Sequence, residues 1–166
     1  MDFATALGPA CEELVLPSEF DRAIELHRTV MFAEIALNFC GYYERGKDQL
    51  SRVMRETIEA GRAVNAVDYL ESLRKREHLY MEHEALIEPY DAVITPSAAG
   101  VAPRGFETTG NPSFCTLWTY LGVPALNLPL LTVDGLPLGI QLAGRRFGEG
   151  RLLKAAASLC ALQLKN

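Results

Sequence analysis

No stretch of this chain approaches the roughly 18 consecutive apolar residues of a membrane-spanning helix, so no membrane association is expected. Clustered positive charge is missing too. The formal net charge is −5, and the one basic run, Arg74-Lys75-Arg76, is bracketed by Glu71 and Glu77, which fits a solvated helix face and not a nucleic-acid partner. No Cys-x-x-Cys pair occurs. The four cysteines, Cys11, Cys40, Cys115 and Cys160, are scattered, and the expectation is buried free thiols in a reducing, cytoplasmic setting. Met1-Asp2-Phe3-Ala4 lacks the basic-then-apolar opening of a signal peptide. Neither a Gly-x-Ser-x-Gly elbow nor a Gly-rich phosphate loop with its lysine is present.

What is present is 49% apolar and 22% charged residues over 166 positions, enough for one domain spanning 1–166 with a real core. The chain reads as α/β. A helix-rich first half, about 18–88, is followed by an α/β core over 90–166, with part of a mixed β-sheet and flanking helices. Leu14-Val15-Leu16-Pro17 reads as a brief strand, a possible fourth in the sheet. Ser18 and Asp21 suggest a capping box for a helix over about 19–39, with an apolar stripe of Ala23, Ile24, Val30, Met31, Ile35 and Leu37. His27 and Glu34 share that stripe, either as a mutually supporting buried pair or as a catalytic acid–base pair.

The spacing predicts a break over 41–46. A second helix follows over 47–60, with Leu50, Val53, Met54, Thr57 and Ile58 inward and Gly61 as its C-cap. Asn65 and Asp68 open a third, carrying Ala66, Leu70, Leu73, Tyr80 and Ile87 inward and ending before Pro89. His78 and His83 are five apart, about 140° around a helix, which is wrong for paired metal ligands. Both are expected on the surface, and no metal site is expected.

The second half is denser in signals. Residues 91–95 form an apolar run ending at Pro96, expected as a strand buried on both faces. Residues 97–109, rich in Gly, Ala and Pro, make a loop that a ligand can approach closely. Asn111-Pro112 reads as an N-cap with proline at the first helical position, and Gly122 as the end of that helix. Strands over about 125–133 and 137–143 are joined by Asp134-Gly135, a hairpin signal, and Pro129 and Pro137 predict irregular pairing. A closing helix over 149–164 rests on Leu152, Leu153, Ala156, Leu159 and Cys160. Ser97, Ser113 and Cys115 are nucleophile candidates by type. No His or Lys is placed with them by a motif, and packing is the plainer role; Cys115 in the first helical turn also has the setting that lowers a thiol pKa.

Residues 90–96, 109–112, Leu117-Trp118, Gly122-Val123-Pro124-Ala125, Leu128-Pro129 and 135–142 together resemble the C-terminal part of the amidase signature family. Leu16-Pro17, Ala33-Glu34 and residues 61–69 resemble its helical region, so the likeness runs in order along nearly the whole chain. The resemblance implies a mixed sheet covered by helices, and hydrolysis of a carboxylic amide C–N bond through an acyl-serine, with no metal or cofactor. The family's Ser-Ser-Lys triad and its Gly-Gly-Ser-Ser-rich signature belong to the N-terminal half. No Gly-Gly pair exists here. No catalytic residue is therefore carried over, and the chain alone is expected to be inactive.

By the same resemblance Thr95, Pro96, Ser97, Ala98 and Ala99 form a wall of the substrate pocket, while Asn111 and Phe114 face its acyl side. Asn111 stands where many members have Asp, which removes a charge available to a cationic substrate. The implied partners are the N-terminal half of an amidase, with Trp118 and Leu128 at the seam, or another copy of this chain, together with a small amide substrate in the intact enzyme. The alternative is a non-catalytic binding or assembly module.

Overall fold

The computed structural model describes residues 7–163. Three helices fill the first half: α1 (Ala23–Gly46), α2 (Arg52–Arg62) and α3 (Ala66–Leu86). A 3₁₀ turn, Ser18–Arg22, leads into α1 after Pro17. The expected capping box is not made, because the Ser18 hydroxyl donates to the neighbouring Glu19 carboxylate at 3.4 Å. Nor do residues 14–16 form a strand; Leu16 packs against the helical core instead. The buried stripe of α1 is Ala23, Leu26, Val30 and Ala36, and the expected Ile24 and Leu37 face solvent.

The break expected over 41–46 does not occur. A helical glycine costs only about 1 kcal/mol, and tertiary contacts outweigh it. The Tyr43 hydroxyl donates to Glu59 on α2 at 2.6 Å, and the Arg62 guanidinium lies 4.5 Å over the Tyr43 ring. The second helix begins later than expected because Ser51 caps it, accepting from the Met54 amide at 3.2 Å. Val53 is exposed, and Ile58 carries the inner face. Gly61, expected as a C-cap, is a buried residue inside α2; a Cβ there would overlap the Phe32 carbonyl oxygen. Its role is close approach of α1 and α2.

Asn65 caps α3 as expected, accepting from the Asp68 amide at 2.9 Å. Tyr69, Leu73, Leu79 and Ile87 turn inward, whereas Ala66 and Leu70 are exposed. His78 is on the surface and meets Glu82 at 3.1 Å. His83 is not. It is wholly buried with its ring centroid 5.7 Å from that of Trp118, because the same five-residue offset that points His78 out points His83 in.

The second half holds β1 (Val93–Pro96), α4 (Ser113–Leu121), β2 (Ala125–Val133), β3 (Leu136–Ala143) and α5 (Glu149–Gln163). The sheet order is β1-β3-β2, antiparallel throughout. β1 is only half-buried and not covered on both faces, and it is an edge strand that pairs with β3 alone. Asp134 and Gly135 take φ of +52° and +76°, the left-handed pair of a type I′ hairpin. The expected irregularity falls at Pro129, where the β2–β3 register shifts between Leu128 and Leu131. Ile140 and Leu142 pack one face of β3 on Leu152, Ala156 and Leu159 of α5, while Leu153 is exposed. The expected helix end at Leu164 lies outside the described residues.

Two arginines lock the halves together. Arg145 donates to the Ile87 carbonyl at 3.0 Å. Arg146 donates to Leu121 O and to Glu77, with its guanidinium carbon 3.8 Å from the Tyr80 ring centre. Trp118, expected at a seam, is instead 4% exposed within this chain's own core. Leu128 packs partly against the sheet–α5 core. Among the described residues no helix is long and apolar enough to cross a membrane, and no three His, Cys, Asp or Glu side chains cluster to hold a metal.

Candidate functional site

Register dictates the site. Thr95 of β1 and Asn127 of β2 both pair with Gln141 of β3, so the three side chains form one polar row across one face of the sheet. Gln141 is 6% exposed, and a buried amide must be satisfied. Its Nε2 donates to Thr95 Oγ1 at 3.3 Å and to the Phe114 carbonyl at 3.0 Å, while its Oε1 lies 3.7 Å from the Cys115 thiol. One side chain thus ties β1, β3 and the first turn of α4.

Gly139, two residues before Gln141, continues the row. A Cβ there would overlap Asn127 Oδ1 and sit 2.5 Å from Ser97 Oγ. The Ser97 amide and hydroxyl both donate to Gly139 O at 3.0 Å, which folds the start of the 97–109 loop back onto the sheet. The Cys115 thiol donates to Ser97 O at 3.3 Å from the other side.

Helix α4 starts one residue later than expected. Pro112 is its N-cap residue, and Asn111 Oδ1 accepts from the Ser113 amide at 2.9 Å. Gly122, at φ +66°, ends it as expected, with Val123 N–H returning to Trp118 O at 3.2 Å.

A groove of about 670 Å³ runs between α1 and α4 and ends at Pro112, Cys115 and Thr116. Its size is that of a small-molecule site. His27 lines it, half-buried, with its ring edge-on to Tyr120 at 6.3 Å and 88°. Burial lowers the His27 pKa below its usual value, opposed by the charge of Glu34, and burial pushes the Tyr120 phenol up to about 12. The Tyr120 hydroxyl is engaged, donating to Ser72 O at 2.5 Å. His27 and Glu34 do not form the buried pair that their shared spacing suggested. Glu34 is exposed and accepts from the Tyr69 hydroxyl at 3.2 Å. Cys115 belongs both to the groove and to the Gln141 cluster, so the two adjoin at that residue.

Of the residues expected at a pocket wall, Thr95, Ser97 and Phe114 are brought together through Gln141 and Cys115. Phe114 keeps its ring partly exposed. Pro96 pairs with Ile140, Ala98 and Ala99 lie in the following turn, and Asn111 faces its own helix. Gln141, Asn127 and Gly139 join this cluster although the sequence reading gave none of them a role; Gly139 and Gln141 lie in the 135–142 stretch that carries the resemblance, and the further signal is the period-two pattern of β3, which sets both on one face. Cys115, expected buried, is exposed, and all four cysteines are free.

The family model described as Amidase matches residues 15–153. A glutamyl-tRNA(Gln) amidotransferase subunit of Moorella thermoacetica is 32% identical over 180 residues, covering 90% of this chain and 37% of that protein. Fatty acid amide hydrolase of Oryza sativa subsp. indica is 26% identical, covering 97% of this chain and 29% of that one. Among solved structures, a crystal structure of an amidase superposes with a TM-score of 0.74 at 26% identity over 81% of this chain and 34% of that one. A bacterial aryl acylamidase of the amidase signature family shares the fold, with a TM-score of 0.68 at 14% identity, covering 96% of this chain and 40% of its own. The chain therefore spans between 29% and 40% of the length of these four proteins.

Proposed function

The chain belongs to the amidase signature family, and from that premise we propose that it is the pocket-forming, C-terminal portion of an amide hydrolase whose nucleophile resides on a complementary portion of chain. In that assembly a serine of the complementary portion attacks the substrate carbonyl, the amine leaves, and water releases the acid from the acyl-enzyme. This chain supplies the wall formed by Thr95, Pro96, Ser97, Ala98 and Ala99 together with Asn111 and Phe114. The α1–α4 groove continues that wall. The cytoplasm is its proposed compartment, in keeping with four free thiols.

The observation that carries this reading is the α1–α4 groove meeting the Gln141 cluster at Cys115, with no nucleophile–base pair in either among the described residues. Surface area points the same way. The chain exposes 11083 Å², about a third more than the ~8,000 Å² expected of a folded monomer of this size. Phe106 and Phe147 are almost wholly exposed. Such an excess is ample for a stable interface, which needs only about 800 Å² per partner.

Co-expression with the N-terminal portion of a closely similar amidase tests the reading. The expected result is a complex that hydrolyses a simple aliphatic amide and loses this activity on Phe114→Asp, with the melting temperature of the isolated chain unchanged. A complex that forms but hydrolyses no amide, or no complex at micromolar concentration, overturns it.

A further inference from the structure

A second cavity, of about 500 Å³, lies against α1 where α2 gives way to α3. Gly61 presses the end of α2 onto the Phe32 carbonyl, and the chain then turns through 63–65 into α3. Beyond that contact Ala33 and Ala36 of α1 face Val64 and Ala66, side chains too short to fill the space between the elements. The volume that remains is that of a small-molecule site.

The polar groups around this cavity are unequal. Glu34, an exposed residue of its wall, takes the Tyr69 hydroxyl on Oε1 at 3.2 Å, and its Oε2 has no hydrogen-bond partner among the described residues. Nor does any cation among them come within ion-pair distance of it. Arg62, which also lines the cavity, pairs with Glu44 at 3.5 Å and lies 4.5 Å over the Tyr43 ring. Arg76 pairs with Glu77 at 3.2 Å, and Arg28 lies 5.0 Å over the Phe32 ring. Burial, with the charge of Glu34 second, raises the Tyr69 pKa, so that phenol stays a neutral donor. Asn65 is committed to the α3 cap. One uncommitted anion therefore faces the cavity, and no uncommitted cation does.

We propose that this cavity binds a primary ammonium carrying a short apolar body, with the ammonium on Glu34 and the body between α1 and the α2–α3 turn. The inference goes beyond the pocket reading above and does not depend on it. Because Glu34 is exposed, the ammonium keeps part of its hydration while it gains the carboxylate, so its desolvation cost is small. The Tyr69 oxygen offers a lone pair to a second ammonium hydrogen. The apolar body gains the transfer free energy of burial against Ala33, Ala36 and Val64. A neutral isostere keeps that burial and loses the ion pair. A carboxylate meets like charge.

The test uses the whole chain with 2-phenylethylammonium, 2-phenylethanol and 3-phenylpropanoate, which share an apolar body and differ in charge. Calorimetry is expected to show millimolar binding of the ammonium, with the alcohol about fivefold weaker, the worth of one partly exposed ion pair, and the carboxylate weaker still. Two free thiols report location, since Cys40 lines this cavity and Cys115 lines the α1–α4 groove. In alkylation by iodoacetamide, read by peptide mass mapping, the ammonium should slow Cys40 and leave Cys115 unchanged. Glu34→Gln should bring the ammonium down to the affinity of the alcohol, and Glu34→Lys should make the carboxylate the preferred ligand. Ala66→Phe, at an exposed residue of the cavity wall, should displace the ammonium and the alcohol alike. Each variant is checked for an unchanged melting temperature. Equal affinity for the three compounds, protection of Cys115 in place of Cys40, an ammonium preference that survives Glu34→Gln, or no heat of binding with the ammonium at high millimolar concentration overturns the proposal.

Discussion

The α-carbon of Gly61 sits against the backbone carbonyl of Phe32: a Cβ at position 61 would overlap that oxygen and come within 2.8 Å of the Ala36 methyl. Helix propensity alone would favour alanine there by about 1 kcal/mol. The collision is with backbone, which cannot swing aside as a side chain can. Gly61→Ala is therefore expected to destabilise the fold by about 2–3 kcal/mol, read from the urea midpoint. A neutral or stabilising result would show that α1 and α2 separate without cost.

Gln141 should behave as a structural tie. Gln141→Leu leaves the Phe114 carbonyl without its donor and Thr95 Oγ1 without its amide, an expected loss of about 1–3 kcal/mol. Thr95→Val should cost less. Because the two residues share a hydrogen bond, the double variant should fall short of the sum by about 0.5–1 kcal/mol. Strict additivity would mean that Gln141 acts through Phe114 alone.

Stability should decline in mild acid because of His83. Burial lowers its pKa to about 4, helped by the charge of Arg145 and opposed by Glu84. The unfolded chain binds a proton near pH 6.5 that the native site refuses until about pH 4. Stability due to neutral His83 is thus complete above pH 6.5, falls as pH drops toward 4, and levels below it, a change of roughly 3 kcal/mol. His27, also lowered by burial, adds in the same direction. Urea midpoints at pH 7.5 and 4.5, for the unaltered chain and for His83→Phe, measure the effect. His83→Phe should remove most of it; an undiminished slope would assign the acid sensitivity elsewhere.

The isolated chain should neither hydrolyse amides nor take up a serine-directed fluorophosphonate. Ser97 Oγ is committed to Gly139 O, and no base stands beside it or Ser113 among the described residues. Stoichiometric labelling at either serine by intact mass would contradict this.

Sedimentation should show self-association at micromolar concentration. Both β1 and β2 have one unpaired edge among the described residues, and apolar surface is abundant. A clean monomer with a cooperative melt would count against an interface and toward an independent module.

Sequence reading reaches what local chemistry decides. Asn65, Gly122 and Asp134-Gly135 each carry their own cap or turn geometry, so their elements stand where expected. It fails where distant contacts outweigh local cost. Gly41 and Gly46 read as a break, but Tyr43 on Glu59 and Arg62 holds the helix through them. Gly61 reads as a cap because a glycine near a helix end usually is one; the Phe32 carbonyl that requires it lies 29 positions back in the chain. His83 reads as exposed from its charged neighbours, although the helical offset from His78 already places the two on different faces. For the site, resemblance leads to Thr95, Ser97 and Phe114. The residue that joins them, Gln141, needs the pairing register, which no single stretch of chain contains.

Pro129 sits in the middle of the outermost strand, where it has no amide hydrogen to offer a neighbour, and the register slips beside it. A strand added to that side could lie flat only along Ala125 to Leu128 before the geometry changes. The strand is therefore open to a short, specific companion and closed to indefinite stacking of copies. Growth into long fibrils would have to cross the proline at every layer, so the same irregularity that bends the hairpin protects an aggregation-prone surface.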